Sequence, residues 1–192
     1  MRSQVISDKE LLLQYEEGRD TALELLINRH KDRVYTTVYL FVRDKYLAED
    51  IFQDTFIKVI DTLKKGKYKE EGKFLPWVLR IAHNLCIDYF RKIKRLPAVT
   101  TREGFDIFNI LPFADDNVEE KMVKDQTHDK VRALVDSLPT EQKEVVILRH
   151  YANMSFKEIA NVTNVSINTA LGRMRYALIN MRKTMAEKQV SI

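Results

Sequence analysis

Apolar residues recur at three- and four-residue spacing along almost the whole of this chain, and only five Gly and four Pro interrupt its 192 positions. That pattern leaves little room for anything but helices. No alternating stretch is long enough to predict a strand, so the expected fold class is all-α. With 45% of 192 residues hydrophobic, the chain can build one or two modest cores. Two small helical domains joined by a flexible linker are expected, divided as 1–96, 97–118 and 119–192.

Residues 155–174 read as helix, tight turn, helix. Ser155-Phe156-Lys157-Glu158 has the form of a capping box, in which the Ser hydroxyl takes the Glu amide and the Glu carboxylate returns to the Ser amide. Ile159, Ala160 and Val162 follow as apolar contacts, Thr163-Asn164-Val165 makes the turn, and Ser166 offers an oxygen to cap the next helix. There Ile167, Ala170, Met174, Ala177, Leu178 and Met181 share helical spacing and are expected to face the core. Asn168, Thr169, Gly172, Arg173, Arg175 and Tyr176 then point outward. A helix of this kind fits the major groove, where Asn, Thr and Arg bond to base edges and phosphates. An ordinary helical hairpin with a solvated basic face would carry the same pattern.

Charge alternates along the chain. Residues 1–63 carry nine basic and twelve acidic side chains, 64–95 ten and three, 96–140 five and nine, and 141–192 eight and four. The two basic blocks suit nucleic acid, through phosphate neutralisation and counterion release, and the acidic ones suit a basic protein surface or a spacer.

In the first acidic block Ser7-Asp8-Lys9-Glu10 forms a second capping box and starts a short helix through Glu17, broken at Gly18. A longer helix follows from Asp20 to about Phe41, with Leu25, Leu26, Tyr35, Val38, Tyr39 and Val42 as its apolar face. The helix over 47–63 has a core stripe of Ala48, Ile51, Phe52, Phe56, Val59, Ile60 and Leu63. Its opposite face holds Asp50, Gln53, Asp54, Ile57 and Asp61, and an Ile among carboxylates suggests a protein contact, although one exposed apolar residue is ordinary by itself.

Residues 64–73 form a basic loop, in which Tyr68 is expected to stack on a splayed base while lysines such as Lys67 hold the backbone, or else simply to face solvent. A fourth helix is expected from Pro76 to just before Pro97. Its inner face is Phe74, Val78, Ile81, Ala82, Leu85 and Tyr89. Its outer face, Arg80, Asn84, Asp88, Arg91, Lys92 and Arg95, is a basic stripe able to follow a duplex, with Asp88 pairing to Arg91 or Lys92. Trp77 fits the core better than a nucleotide wedge. Over 97–118 the periodicity is lost, yet Phe105, Ile107, Phe108, Ile110, Leu111 and Phe113 are too apolar for a free spacer and are expected to dock in part. Helix resumes over 117–137, and 141–151 is the next full helix.

Enzyme chemistry finds little support. Asp50 and Asp54 lie one turn apart without a third ligand beside them, His83 and Cys86 lack the partners that zinc needs, and His128 is isolated. No Gly-rich phosphate loop or nucleophile elbow occurs. No catalytic residue, metal or cofactor is expected. No apolar run is long enough to span a bilayer, the first residues lack a signal peptide's apolar stretch, and a lone Cys86 suits a reducing compartment. A cytoplasmic protein without membrane insertion is the expectation.

Three segments in this order resemble the bacterial RNA polymerase sigma factors, specifically the small two-domain extracytoplasmic-function group of the sigma-70 family. Leu47-Ala48-Glu49-Asp50-Ile51-Phe52-Gln53-Asp54-Thr55-Phe56-Ile57-Lys58-Val59 looks like the family helix that binds the clamp helices of the polymerase beta-prime subunit, which implies that Asp50, Gln53 and Asp54 face polymerase. The segment 74–95, with Trp77, Arg80, Ile81, Ala82, Asn84, Asp88 and Arg91, looks like the part that opens and reads the minus-ten element. Leu138-Pro139 with 155–182 looks like the C-terminal domain that reads the minus-thirty-five element and touches the beta flap. The resemblance implies core RNA polymerase and promoter DNA as partners, an anti-sigma factor as regulator, and no catalysis by the chain itself. Where relatives carry Thr-Val-Lys-Ser-Arg, this chain has Thr169-Ala170-Leu171-Gly172-Arg173, so one polar DNA contact is lost and Gly172 lets the backbone come closer. The rival readings are a free-standing helix-turn-helix regulator and a metal-dependent phosphohydrolase using Asp50, Asp54 and His128.

Overall fold

The computed structural model describes residues 6–95 and 131–187, and the regular structure among them is helical throughout. The chain separates into two compact units, Met1–Val99 and Thr100–Ile192. The expected linker 97–118, the helix expected before residue 131, and His128 lie outside the described residues.

In the first unit α1 (Asp8–Glu16) begins at the capping box, with the Ser7 amide donating to Glu10 Oε2 at 2.7 Å and the Glu10 amide to Ser7 Oγ at 3.2 Å. Asp8 ties this helix to α2 (Asp20–Val42), accepting from Arg29 Nη1 at 2.6 Å and lying 2.8 Å from His30 Nε2. Arg43, at φ +57°, turns the chain out of α2, and the Asp44 carboxylate caps α3 (Lys45–Lys64) by accepting from the Leu47 amide at 2.7 Å. The cap therefore sits at Asp44, and α3 starts at Lys45, two residues before the expected start at Leu47. The next helix, α4 (Phe74–Arg95), likewise starts ahead of Pro76, which occupies the first turn where its missing N–H has no helical acceptor to lose.

Helices α2, α3 and α4 pack against one another, and α1 lies on α2. Leu26, Val34, Val38, Ala48, Val59, Phe74, Val78, Leu79 and Ala82 are buried among them. Each large apolar side chain buried there contributes about 1.5–3 kcal/mol. Leu25 departs from expectation at 54% exposed, because the buried line of α2 runs through Ala22, Leu26, His30, Val34 and Val38, one step around the helix. In α4, Leu79 and His83 are buried, whereas Tyr89 lies at the exposed margin.

Cys86 is buried in this core, and burial pushes its thiol up to about 12. A thiol reagent at pH 8 should label Cys86 only as fast as the unit opens, and labelling at the rate of a free thiol would disprove its burial. Since the folded thiol ionises later than the unfolded one, its contribution to stability is intact below about pH 8.5 and falls as pH rises from there toward 12.

In the second unit a helical segment over 131–136 leads to α5 (Thr140–Val146), which widens into a π-helical turn, Ile147–Tyr151, so the helix expected over 141–151 is not uniform. The Ala152 amide reaches back to the Ile147 carbonyl at 3.2 Å, five residues away. Arg149 braces the turn, donating to the Met154 carbonyl at 2.8 Å with its guanidinium 5.4 Å from the Phe156 ring centre. Then come α6 (Phe156–Thr163) and α7 (Ile167–Glu187), both packed on each other and α7 on α5. Val135, Leu138, Val146 and Ala177 form one buried cluster, with Met174 and Met181 against it, and Ile147, Leu148, Met154 and Ile159 are also buried. Ile167 and Leu178, expected inside, are almost half exposed, because fully buried Ala170 and Ala177 let α7 sit close and narrow its buried stripe.

Candidate partner and nucleic-acid faces

The outer face of α3 is built by helical spacing alone. Asp50, Gln53, Asp54, Ile57 and Asp61 are all exposed, and Ile57 stands out at 61% among the carboxylates. Asp61 is held by Lys65 Nζ at 2.6 Å. Tyr46 continues this face one turn before Asp50 and is 80% exposed. It escaped the sequence reading because the helix was expected to begin after it, although its i−4 spacing from Asp50 was there to be used. Tyr46 at one end of the acidic row and Ile57 within it give this face a mixed apolar and acidic character that suits a basic, partly apolar surface.

The basic loop before α4 is less open than its composition suggests. Lys67 is exposed, but Tyr68 is half-buried, its ring 4.3 Å from that of Trp77 and 6.0 Å edge-on from that of Phe74. Its hydroxyl donates to Glu70 Oε2 at 3.1 Å, and the other oxygen of Glu70 accepts from the Gly72 amide. Burial, and then the Glu70 carboxylate, push the Tyr68 hydroxyl well above the usual phenol range, so it remains a protonated donor. The Trp77 ring, tilted by 41°, and the edge-on Phe74 ring thus already pack against Tyr68. Phe74 also lies 5.8 Å from His30, which joins this loop to the Asp8 contact between α1 and α2.

Along α4 the side chains of Arg80, Asn84, Asp88, Arg91 and Lys92 are exposed, with Arg91 Nη1 3.6 Å from Asp88. The side chain of Arg95 lies outside the described residues. The carboxylate at Asp88 thus partly offsets one arginine and leaves Arg80 and Lys92 to set the sign of the stripe.

The helix-turn-helix forms as its caps predict. Ser155 and Glu158 make both bonds of the capping box, at 2.7 and 3.3 Å, and Asn164 adopts the left-handed conformation at φ +57° that closes α6. Ser166 accepts from the Thr169 amide at 3.0 Å and shares a bond with its hydroxyl at 2.8 Å, so both residues are engaged in capping α7. Asn168, Arg175 and Tyr176 are exposed, and Gly172 is half-buried. Arg173 differs from its neighbours: it is only 25% exposed, with Nη1 3.6 Å from Glu144 on α5. Gln142 on α5 also accepts from Asn180 on α7 at 2.8 Å, so two polar contacts fix how α7 is presented.

Among the described residues no group of three or more His, Cys, Asp or Glu side chains is placed to hold a metal, and no helix is long and apolar enough to cross a membrane. Asp50 and Asp54 are both exposed on α3.

Two family models match in chain order: Sigma-70 region 2 over residues 26–96, and Sigma-70, region 4 over residues 128–175. The chain is 29% identical to the ECF RNA polymerase sigma factor SigE of Mycolicibacterium smegmatis, over 84% of this chain and 61% of that one. It is 28% identical to the RNA polymerase sigma factor CarQ of Myxococcus xanthus, over 93% of this chain and 97% of that one. Its fold is similar to that of the sigma factor RpoE from Bartonella quintana, solved in complex with the anti-sigma factor NepR, with a TM-score of 0.62 and 15% identity over 85% of this chain and 96% of that one. The first match contains α3, the basic loop and α4, the second contains the helix-turn-helix, and with both in place the chain belongs to the sigma-70 family of RNA polymerase sigma factors, in its extracytoplasmic-function group.

Proposed function

We propose that this sigma factor binds core RNA polymerase through the outer face of α3 and directs it to a promoter with two DNA-binding surfaces, leaving the chemistry to the polymerase. The observation that carries the assignment is the separation of charge: the acidic face of α3 and the basic face of α4 belong to one unit, and the helix-turn-helix to the other. Asp50, Gln53, Asp54, Ile57 and Asp61, with Tyr46 at the end of the row, meet the beta-prime clamp helices. Lys67, Tyr68, Arg80, Asn84, Asp88, Arg91, Lys92 and Arg95 meet the minus-ten element, where the exposed part of Tyr68 receives a base. Ser166, Asn168, Thr169, Gly172, Arg175 and Tyr176 meet the minus-thirty-five element, with Arg173 held at their margin by Glu144, and the beta flap binds the same unit. Functional domains at 1–96 and 119–192, spanned by 97–118, suit this division. An anti-sigma factor is the expected regulator, as for the Bartonella relative, and the site of action is the cytoplasm.

Purified core polymerase and this chain should together initiate transcription at a cognate promoter. Tight binding to free duplex without any core-dependent initiation would instead favour a free-standing regulator. Asp54→Lys places a cation where a basic surface docks, and should weaken association with core polymerase roughly tenfold or more while leaving binding of the chain to duplex DNA unchanged. Equal loss of both would remove α3 from the partner surface.

A further inference from the structure

Four residues at the exposed end of α7 form a closed diamond: Asn168, then Leu171 and Gly172 side by side, then Arg175. Each is three or four positions from its neighbours, which makes them contiguous on a helix surface. Asn168, Leu171 and Arg175 are exposed, Leu171 at 43%. The line of Ala170, Met174 and Ala177 that packs inward lies roughly 90° around the helix from Leu171. Leucine here is thus not serving the core.

Gly172 points the same way. Its backbone is ordinary helix, and a Cβ placed on it would meet nothing within 4 Å, so neither conformation nor internal packing calls for glycine. A glycine inside a helix is nonetheless less favourable than alanine. What it provides is a closer approach for something outside the chain, beside an apolar side chain and between an amide and a guanidinium. Base edges in the major groove match that set: adenine N6 and N7 suit Asn168, guanine or a phosphate suits Arg175, and the apolar group available there is the C5-methyl of thymine. A polar peptide would satisfy Asn168 and Arg175 and leave Leu171 unmatched.

We infer that Leu171 is a specificity-determining residue that reads a thymine methyl group beside the base read by Asn168, with Gly172 admitting the DNA close enough for contact. This rests on the reading of the second unit as the part that meets promoter duplex. It moves specificity away from Arg173, which Glu144 holds to one side.

The test uses core polymerase carrying the full chain. Duplexes bound by this holoenzyme are selected from a random library, and each thymine of the upstream part of the footprint is replaced singly by deoxyuridine, which differs only by the lost methyl. One replacement should weaken binding about fourfold, the value of one buried methyl group. Leu171→Ala and Leu171→Gln holoenzymes should bind the thymine duplex more weakly and no longer distinguish it from the uracil one at that position. The inference is overturned if no thymine responds, or if the response survives unchanged in both variants. Selection of no duplex at all would overturn the promoter reading and this inference with it, whereas selection of duplexes indifferent to uracil would leave the promoter reading standing.

Discussion

Phe74→Ala should destabilise the first unit by about 3–5 kcal/mol, as expected for deleting a fully buried aromatic ring. Phe74 is among the largest side chains in the chain with almost no exposure, and its ring is shared by three neighbours: Tyr68, Trp77 and His30. The loss therefore has two parts. The cavity weakens the packing of α2 against α4, and the Tyr68 and Trp77 rings lose the surface on which their tilted contact rests. The chain has a single Trp, and it touches Phe74, so fluorescence during urea unfolding reports on this region alone. With a slope of about 2 kcal/mol per M, the midpoint should fall by roughly 2 M. Leu25→Ala on the exposed side of α2 is the control and should change stability by under about 0.5 kcal/mol. A comparable small shift for Phe74→Ala would mean that the loop is held by Glu70 alone. DNA opening should suffer even at temperatures where the variant remains folded, because the loop that carries Lys67 and Tyr68 is then no longer set in place.

Why some of this was legible and some was not follows from what periodicity encodes. Capping boxes at Ser7 and Ser155, and the cap at Ser166, are local hydrogen-bonding devices, and they fixed helix starts that the structure bears out. A period of 3.6 gives the direction of a buried stripe, but its width depends on how close the neighbouring helix comes. Leu25, Ile167 and Leu178 lie at such edges and fall on the solvent side. The start of α3 differs for the related reason that a helix begins at its cap, ahead of its first buried residue, whereas α4 starts at buried Phe74, two residues before the proline of its first turn. The π-helical turn at Ile147–Tyr151 adds one residue to a turn, a change that an apolar pattern absorbs without a trace. Site residues divide in the same way. Those on α3 and α4 could be assigned from spacing because one helix suffices to make the face. The pairing of Arg173 with Glu144, and of Tyr68 with Trp77, depends on which side chains meet across elements, and no spacing within either element states it.

Asp136→Ala should cost the second unit about 1–3 kcal/mol, the scale for removing a hydrogen-bonding partner from a buried charged group when the carboxylate is itself a quarter exposed. Lys143 is 2% exposed, and its Nζ lies 3.4 Å from Asp136 Oδ1. The residues on either side of it on α5, Gln142 and Glu144, are those that hold α7 through Asn180 and Arg173. A buried lysine deprived of this carboxylate loses one charged partner, and the resulting adjustment of α5 moves the two anchors of the recognition helix. Amide exchange should therefore quicken in α5 and α7 together, while α1 to α4 keep their protection. The double substitution Lys143→Met with Asp136→Ala tests the cause, since methionine keeps the apolar stem and removes the charge. It should recover most of the loss, because exchanging a buried pair for apolar side chains of similar volume is close to neutral. If the double variant is as unstable as Asp136→Ala alone, charge burial is not the reason, and the carboxylate must act instead by anchoring the end of the helical segment that precedes α5. If stability returns but duplex binding does not, the ion pair sets the register of α7 as well as its stability, and the diamond around Leu171 depends on that register to meet its base.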